Sequence, residues 1–289
     1  MFNRGTELLE LCNEENKKIS DIVIEKEMKA TGMTREELIK IMGETLNVMK
    51  TSATEALDKE VKSLSGLTGG NSKKVQDYTK KGKTLSGVFI NSAMAKAFST
   101  SEVNASMGKI VAAPTAGASG ILPSAMLSAQ EKLELSDDDL IKGLFTAAGV
   151  GEIIAKNATI SGAEGGCQAE CGAAAAMAAA AIVEMAGGSP KSSLDAAGFA
   201  LSNIMGLVCD PIAGLVEYPC ALRNASGVVN ALISADMALA HVQSIVPFDE
   251  VVEAMYEVGK ALPETLRETG LGGLAGTETG KMCSKKIFG

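Results

Sequence analysis

Apolar residues recur at helical spacing between Glu7 and Lys29, where Leu8, Leu11, Ile19, Ile22 and Val23 are separated by glutamates and lysines. This pattern predicts one solvent-facing amphipathic helix. Thr34 and Glu37 then stand in capping-box order ahead of "LIKIMGETLNVMKTSATEALDKEV". A second long helix is expected there, ending near Ser63. The stretch "LSGLTGGNSKKVQDYTKKGKTLSG" breaks the period with glycine, lysine and small polar residues, and reads as a surface loop.

Beyond this loop the charges thin out, and Ala, Gly, Ser and Met dominate to about residue 240. β-Branched residues rarely alternate, so helices separated by glycine turns are expected rather than strands. Ser136 is an N-cap signal before "DDDLIKGLFTAAGVGEIIAK", and "SSLDAAGFALSNIMG", "SGVVNALISADMALAHVQ" and "FDEVVEAMYEVGKAL" continue the helical pattern. The run from Ala173 to Ala181 favours helix and keeps the cylinder thin, as a strut at the centre of a bundle requires. The expected fold class is all-α. One helical domain spans 1–289, with 1–63 as an outer helical layer on a small-residue core.

Charge and cysteine usage narrow the function. A formal net charge of −8 with scattered basic residues disfavours nucleic acid and anionic membranes as partners. The opening "MFNRGTELLELCNEENKK" lacks the basic and apolar regions of a signal peptide, and no segment offers about 18 uninterrupted apolar residues. A cytoplasmic protein is expected. Six cysteines in such a chain point to reduced thiols available for metal or chemistry rather than to disulfides. Cys12 stands apart from the other five, which lie in the second half. The single histidine, His241, falls on a predicted helical face and gives no basis for a histidine-rich metal site or a serine–histidine hydrolase.

Three cysteines share a setting: Cys167 in "GAEGGCQAECG", Cys209 in "IMGLVCDPIAG" and Cys220 in "LVEYPCALRNASG". Each occupies a glycine- or proline-punctuated turn beside a predicted helix. Three loop thiolates suit a [4Fe–4S] cluster whose remaining iron keeps an exchangeable position. A zinc reading also stays open, with Cys167 and Cys171 as a half-site completed by Cys209 and Cys220. A second glycine-rich element, "IVAAPTAGASGILPSAM", offers backbone amides, a helix N-terminus and the hydroxyls of Thr115 and Ser119 on either side of Gly117. It suits a small carboxylate. Neither GxGxxG nor GxxxxGK[ST] is present to bind a nucleotide.

The motifs "MGKIVAAPTAGASGILP", "SGAEGGCQAECG" and "GLVCDPIAGLVEYPCALRNA", in their order and spacing, resemble the alpha chain or catalytic domain of the iron–sulfur-dependent L-serine dehydratases. The resemblance extends over essentially the whole chain, including the "LRETGLGGLAGTETGK" ending. It implies an oxygen-sensitive [4Fe–4S] cluster held by Cys167, Cys209 and Cys220, with the fourth iron open to L-serine. It also implies β-elimination of water to give pyruvate and ammonia without pyridoxal phosphate. Substrate contacts are expected at Thr115, Gly117, Ser119, Arg223 and Asn224, with Lys109 and Arg223 pairing the carboxylate, offsetting cluster charge or serving as ordinary structural ion-pair partners.

Glu164, three residues before Cys167, is the candidate base, or alternatively the internal brace of its turn. Cys171 is expected near the cluster without ligating it. Cys283 is followed by "SKKIFG", unlike the terminal cysteine of some single-chain relatives. Those relatives carry an additional α/β domain, whereas this chain begins directly with its helical part. A separate beta chain and a hetero-oligomer are therefore expected. Two competing readings are a lyase resembling cysteine desulfidase and a non-catalytic cluster scaffold or electron carrier.

Overall fold

In the computed structural model, which describes residues 1–289, the amphipathic N-terminal pattern folds as two helices and not one: α1 (Gly5–Glu15) and α2 (Ile19–Thr31). Asn16 makes the break. It adopts a left-handed conformation (φ 51) and its amide closes on the Cys12 carbonyl, a geometry asparagine tolerates better than most residues. The capping box forms as expected, with the Glu37 amide donating to Thr34 Oγ1 at 3.2 Å and the Thr34 amide to Glu37 Oε2 at 2.8 Å.

The helix it begins, α3 (Arg35–Thr54), stops well short of Ser63. Ser99, from a later helix, explains the stop. Its hydroxyl donates to the Ser52 carbonyl at 2.7 Å and accepts from the Ala56 amide at 2.9 Å, occupying the two groups that would otherwise bond each other along the helix.

The polar stretch that follows is not wholly a loop, because α4 (Asn71–Lys80) forms within it and packs on α5 (Gly87–Ala105). The N-cap position of α4 is Gly70, which has no side chain to cap with. Glu102 of α5 takes the role instead, accepting from the Asn71 and Ser72 amides. That cap comes from tertiary structure.

The remaining helices are α6 (Ile121–Leu133), α7 (Asp137–Asn157), α8 (Gly162–Gly165), α9 (Ala173–Met185), α10 (Pro190–Ser202), α11 (Cys220–Leu239), α12 (Phe248–Ala261) and α13 (Glu278–Phe288). No strand is present, so the fold is all-α. Ser136 caps α7 in a reciprocal pair with Asp139. His241 lies beyond the end of α11, exposed and left-handed (φ 64), and not on a helical face. No helix is long and apolar enough to cross a membrane.

At the centre stands α9, with α6, α7, α10 and α11 packed around it. Every residue from Ala173 to Glu184 is buried. Methyl side chains let four neighbours approach one cylinder, and glycines opposite extend the effect. A Cβ at Gly151 of α7 would lie 2.9 Å from Met177 Sδ. Leu8, Ile24 and Leu46 of the first three helices share one continuous core with this strut. At its far end the buried Glu184 accepts from the Ser20 amide at 3.3 Å, tying the start of α2 to the bundle axis. Enlarging the strut should be costly: Ala180→Leu is expected to destabilise by about 1–3 kcal/mol through overpacking, measured as a lower Tm.

Candidate functional site

The strut delivers the site. Between α8 and α9 the chain winds into a π-helical turn, Gln168–Gly172, immediately after Cys167. This turn brings the Sγ atoms of Cys167 and Cys171 to 3.3 Å. Cys171 is the deeper of the two and keeps its proton, pushed well up by its contact with Cys167 and by burial. Cys167 is held below the ordinary thiol range, first by its hydrogen bond with Cys171 and then by the charge of Arg223 against the opposing effect of burial.

Gln168, a polar residue buried beside Cys167, fastens two other segments to this point. Its Nε2 donates to the carbonyls of Gly165 (2.9 Å) and Met255 (3.0 Å), and its Oε1 accepts from the Gly206 amide (2.8 Å). The loop through Gly206 carries Cys209. There the Cys209 amide donates to the Leu266 carbonyl at 2.9 Å and the Glu268 amide to the Cys209 carbonyl at 2.7 Å, a short parallel pairing of Cys209 with Arg267.

Cys220, half-buried, opens α11. One turn on, Asn224 Nδ2 donates to the carbonyls of Gly117 (2.6 Å) and Cys220 (2.8 Å), while its Oδ1 accepts from the Gly120 amide (2.8 Å). Asn224 therefore joins the third cysteine's helix to the glycine-rich loop. Within that loop the Ser119 hydroxyl donates to the Ala116 carbonyl at 2.8 Å. Arg223 is committed to the scaffold as well: Nη1 donates to the Val208 carbonyl at 2.8 Å and Nη2 meets Asp210 at 2.6 Å.

The Cys167 turn, the Cys209 loop and the glycine-rich loop converge on a residue that the sequence reading did not single out. Glu170 is buried; its Oε1 accepts from the Thr115 hydroxyl at 2.7 Å, and Cys209 Sγ lies 3.8 Å from its Oε2. Two glycines make room for it, since a Cβ at Gly117 would lie 3.0 Å from Oε1 and one at Gly162 would lie 2.6 Å from Oε2. Burial pushes the Glu170 carboxyl up, and the Thr115 hydrogen bond only partly offsets this. The available signal was its position three residues after Cys167, which puts both on one side of a helical turn.

Other expected residues lie elsewhere. Glu164 is exposed and accepts from the Thr159 hydroxyl at 2.6 Å. Lys109 is exposed and lines a groove with Ile41 and Val48 of α3. Cys12 is buried in the core near α2, and Cys283 sits half-buried on α13.

Burial pushes the Cys209 thiol far up and that of Cys220 up to about 12, and in each case the charge of Cys167 adds to the shift. No three His, Cys, Asp or Glu side chains gather tightly enough to hold a single ion, and the four-cysteine zinc arrangement is not formed. A cavity of about 400 Å³ is lined by Cys171 and Arg223 together with Asn203, Met205, Leu207 and Ser226.

The family model described as serine dehydratase alpha chain matches residues 14–275. The chain belongs to that family. Among relatives in the serine dehydratase family, the L-serine dehydratase alpha chain of Peptoniphilus asaccharolyticus is 54% identical over 281 residues, covering 97% of this chain and 96% of that one. The probable L-serine dehydratase alpha chain of Bacillus subtilis (strain 168) is 51% identical over 289 residues, covering 100% and 96%. The L-serine dehydratase of Helicobacter pylori (strain ATCC 700392 / 26695) is 36% identical over 283 residues, which make up 96% of this serine dehydratase family member but 62% of its relative.

Proposed function

We propose that this chain is the catalytic alpha chain of an L-serine dehydratase that works with a [4Fe–4S] cluster and a separate beta chain. The observation that carries this reading is the junction at Glu170, where the Thr115 loop, the Cys167 turn and the Cys209 loop meet around one buried carboxylate. Similarity over almost the full length to proteins named as alpha chains supports the partner and the substrate.

The donor set fits the cluster. Cys167, Cys209 and Cys220 would hold it: they are soft thiol ligands on three separate segments, with Arg223 nearby to offset negative charge. Cys167 and Cys220 both stand at helix starts, where the backbone dipole favours thiolate. When bound, the cluster supplies a Lewis-acidic iron with an open position.

The chain's own residues do the rest. Glu170 takes the α-proton of L-serine at Oε2, because the Thr115 hydroxyl engages Oε1 and fixes the carboxylate plane. We assign the proton to Glu170 over Glu164, which is exposed and braced by Thr159. Gly117 and Gly162 hold backbone close to Glu170 and keep water out, and Asn224 and Ser119 fix the shape of the adjoining loop. Loss of the α-proton and the β-hydroxyl as water leaves 2-aminoacrylate. This tautomerises to the imine, and water then releases pyruvate and ammonia.

Alpha and beta chains purified together without oxygen should form pyruvate and ammonia from L-serine, and the alpha chain alone should form far less. Sulfide from L-cysteine with no pyruvate from L-serine would overturn the reading.

A further inference from the structure

Beside Cys209 the structure leaves a charged pair unused. Arg223 is occupied by Asp210 and the Val208 carbonyl, and Lys109 is exposed along α3. Arg267 is different. Its backbone pairs in parallel with Cys209, yet its side chain takes part in no ion pair, and its Nε is buried without a hydrogen-bond partner. Arg267 is half-buried as a whole, but a buried guanidinium N–H left without a partner is costly, and a carboxylate is its best complement.

Direction follows from the pairing. Residues side by side in a parallel pair send their side chains to the same face, so Arg267 leaves the backbone on the face from which Cys209 reaches Glu170. Alternation would carry the next side chain to the opposite face. Strand alternation does not set the direction of Glu268, because its backbone is left-handed (φ 64), a conformation uncommon for residues other than glycine. Its charge reaches both Glu170 and Cys209. Strain of this kind concentrates where a side chain must be aimed. The strap is also anchored beyond this point, where the Leu274 amide donates to Asp210 Oδ2 at 2.7 Å.

L-Serine presents a carboxylate and an ammonium group on one carbon. We infer that Arg267 and Glu268 form a clamp for the two charges of an α-amino acid, the guanidinium receiving the carboxylate and the Glu268 carboxylate receiving the ammonium group. The clamp rests on the amino-acid lyase reading above. It makes these two adjacent residues the specificity determinants for a free amino acid, against hydroxy acids and amino alcohols.

The test uses anaerobic alpha–beta holoenzyme and three small ligands that cannot lose a β-hydroxyl: L-alanine with both charges, propanoate with the carboxylate alone and ethylamine with the ammonium group alone. Affinities are read by calorimetry and by competition with L-serine turnover. Arg267→Gln should weaken L-alanine and propanoate by about tenfold to a hundredfold and leave ethylamine unchanged. Glu268→Gln should weaken L-alanine and ethylamine and leave propanoate unchanged. Iron content and Tm should match wild type in both variants.

Equal losses for all three ligands, or no loss of L-alanine affinity in Arg267→Gln, would overturn the clamp. So would a wild-type enzyme that binds L-alanine no more tightly than propanoate or ethylamine. The expected ligand pattern in an enzyme that makes no pyruvate from L-serine would instead refute the elimination and leave the clamp standing.

Discussion

Glu170→Gln is expected to lower pyruvate formation from L-serine by about 10²–10⁴-fold, the range for losing a positioned general base. Glutamine keeps the size of the side chain, and its amide oxygen can still accept from the Thr115 hydroxyl that Glu170 Oε1 engages at 2.7 Å. What it cannot do is take a proton at the position of Oε2. The loss should therefore appear in kcat, with KM for L-serine changed little. Iron content and helical circular dichroism should stay at wild-type levels, separating a chemical defect from a folding one. Glu164→Gln provides the contrast, because that side chain is exposed and held by Thr159; its turnover should stay within a few-fold of wild type. Equal activity in Glu170→Gln and wild type would remove Glu170 from the proton transfer.

The parts of this molecule legible in its sequence are those fixed by neighbours in the chain. The Thr34–Glu37 and Ser136–Asp139 caps are local, and both form. The alanine run reads as a thin central helix because only methyl groups let α6, α7, α10 and α11 crowd one cylinder. What escaped the sequence depends on distant groups. Ser99 ends α3 from across the interface with α5, and Glu102 starts α4 by capping a glycine that cannot cap itself.

The same distinction governs the site. Two glutamates flank Cys167, and local pattern singled out only Glu164. Glu170 stands out only through its contact with Thr115, which lies 55 residues away in sequence. In sequence Arg223 could be a carboxylate partner, an offset to cluster charge or an ordinary structural ion-pair partner, and the last is what forms. Asp210 and the Val208 carbonyl occupy it, while Arg267, in the C-terminal strap, remains free.

Cys167→Ser, Cys209→Ser and Cys220→Ser should each reduce L-serine turnover to background, the second of the two largest effects expected. A hydroxyl is a harder and far less acidic donor than a thiol, so serine at any of these positions removes a ligand suited to iron and sulfide. Cys171 differs in kind. It is fully buried, keeps its proton and supports Cys167 through the 3.3 Å contact, so Cys171→Ser should retain the cluster with at most a moderate loss of activity.

Iron and acid-labile sulfide per chain, measured without oxygen in wild type and these four variants, test the central claim most directly. The expected result is about four of each in wild type and Cys171→Ser, and cluster lost from the other three. Full iron and sulfide in Cys167→Ser, Cys209→Ser or Cys220→Ser would contradict the ligand set, and their absence from the wild-type protein would contradict the iron–sulfur assignment itself.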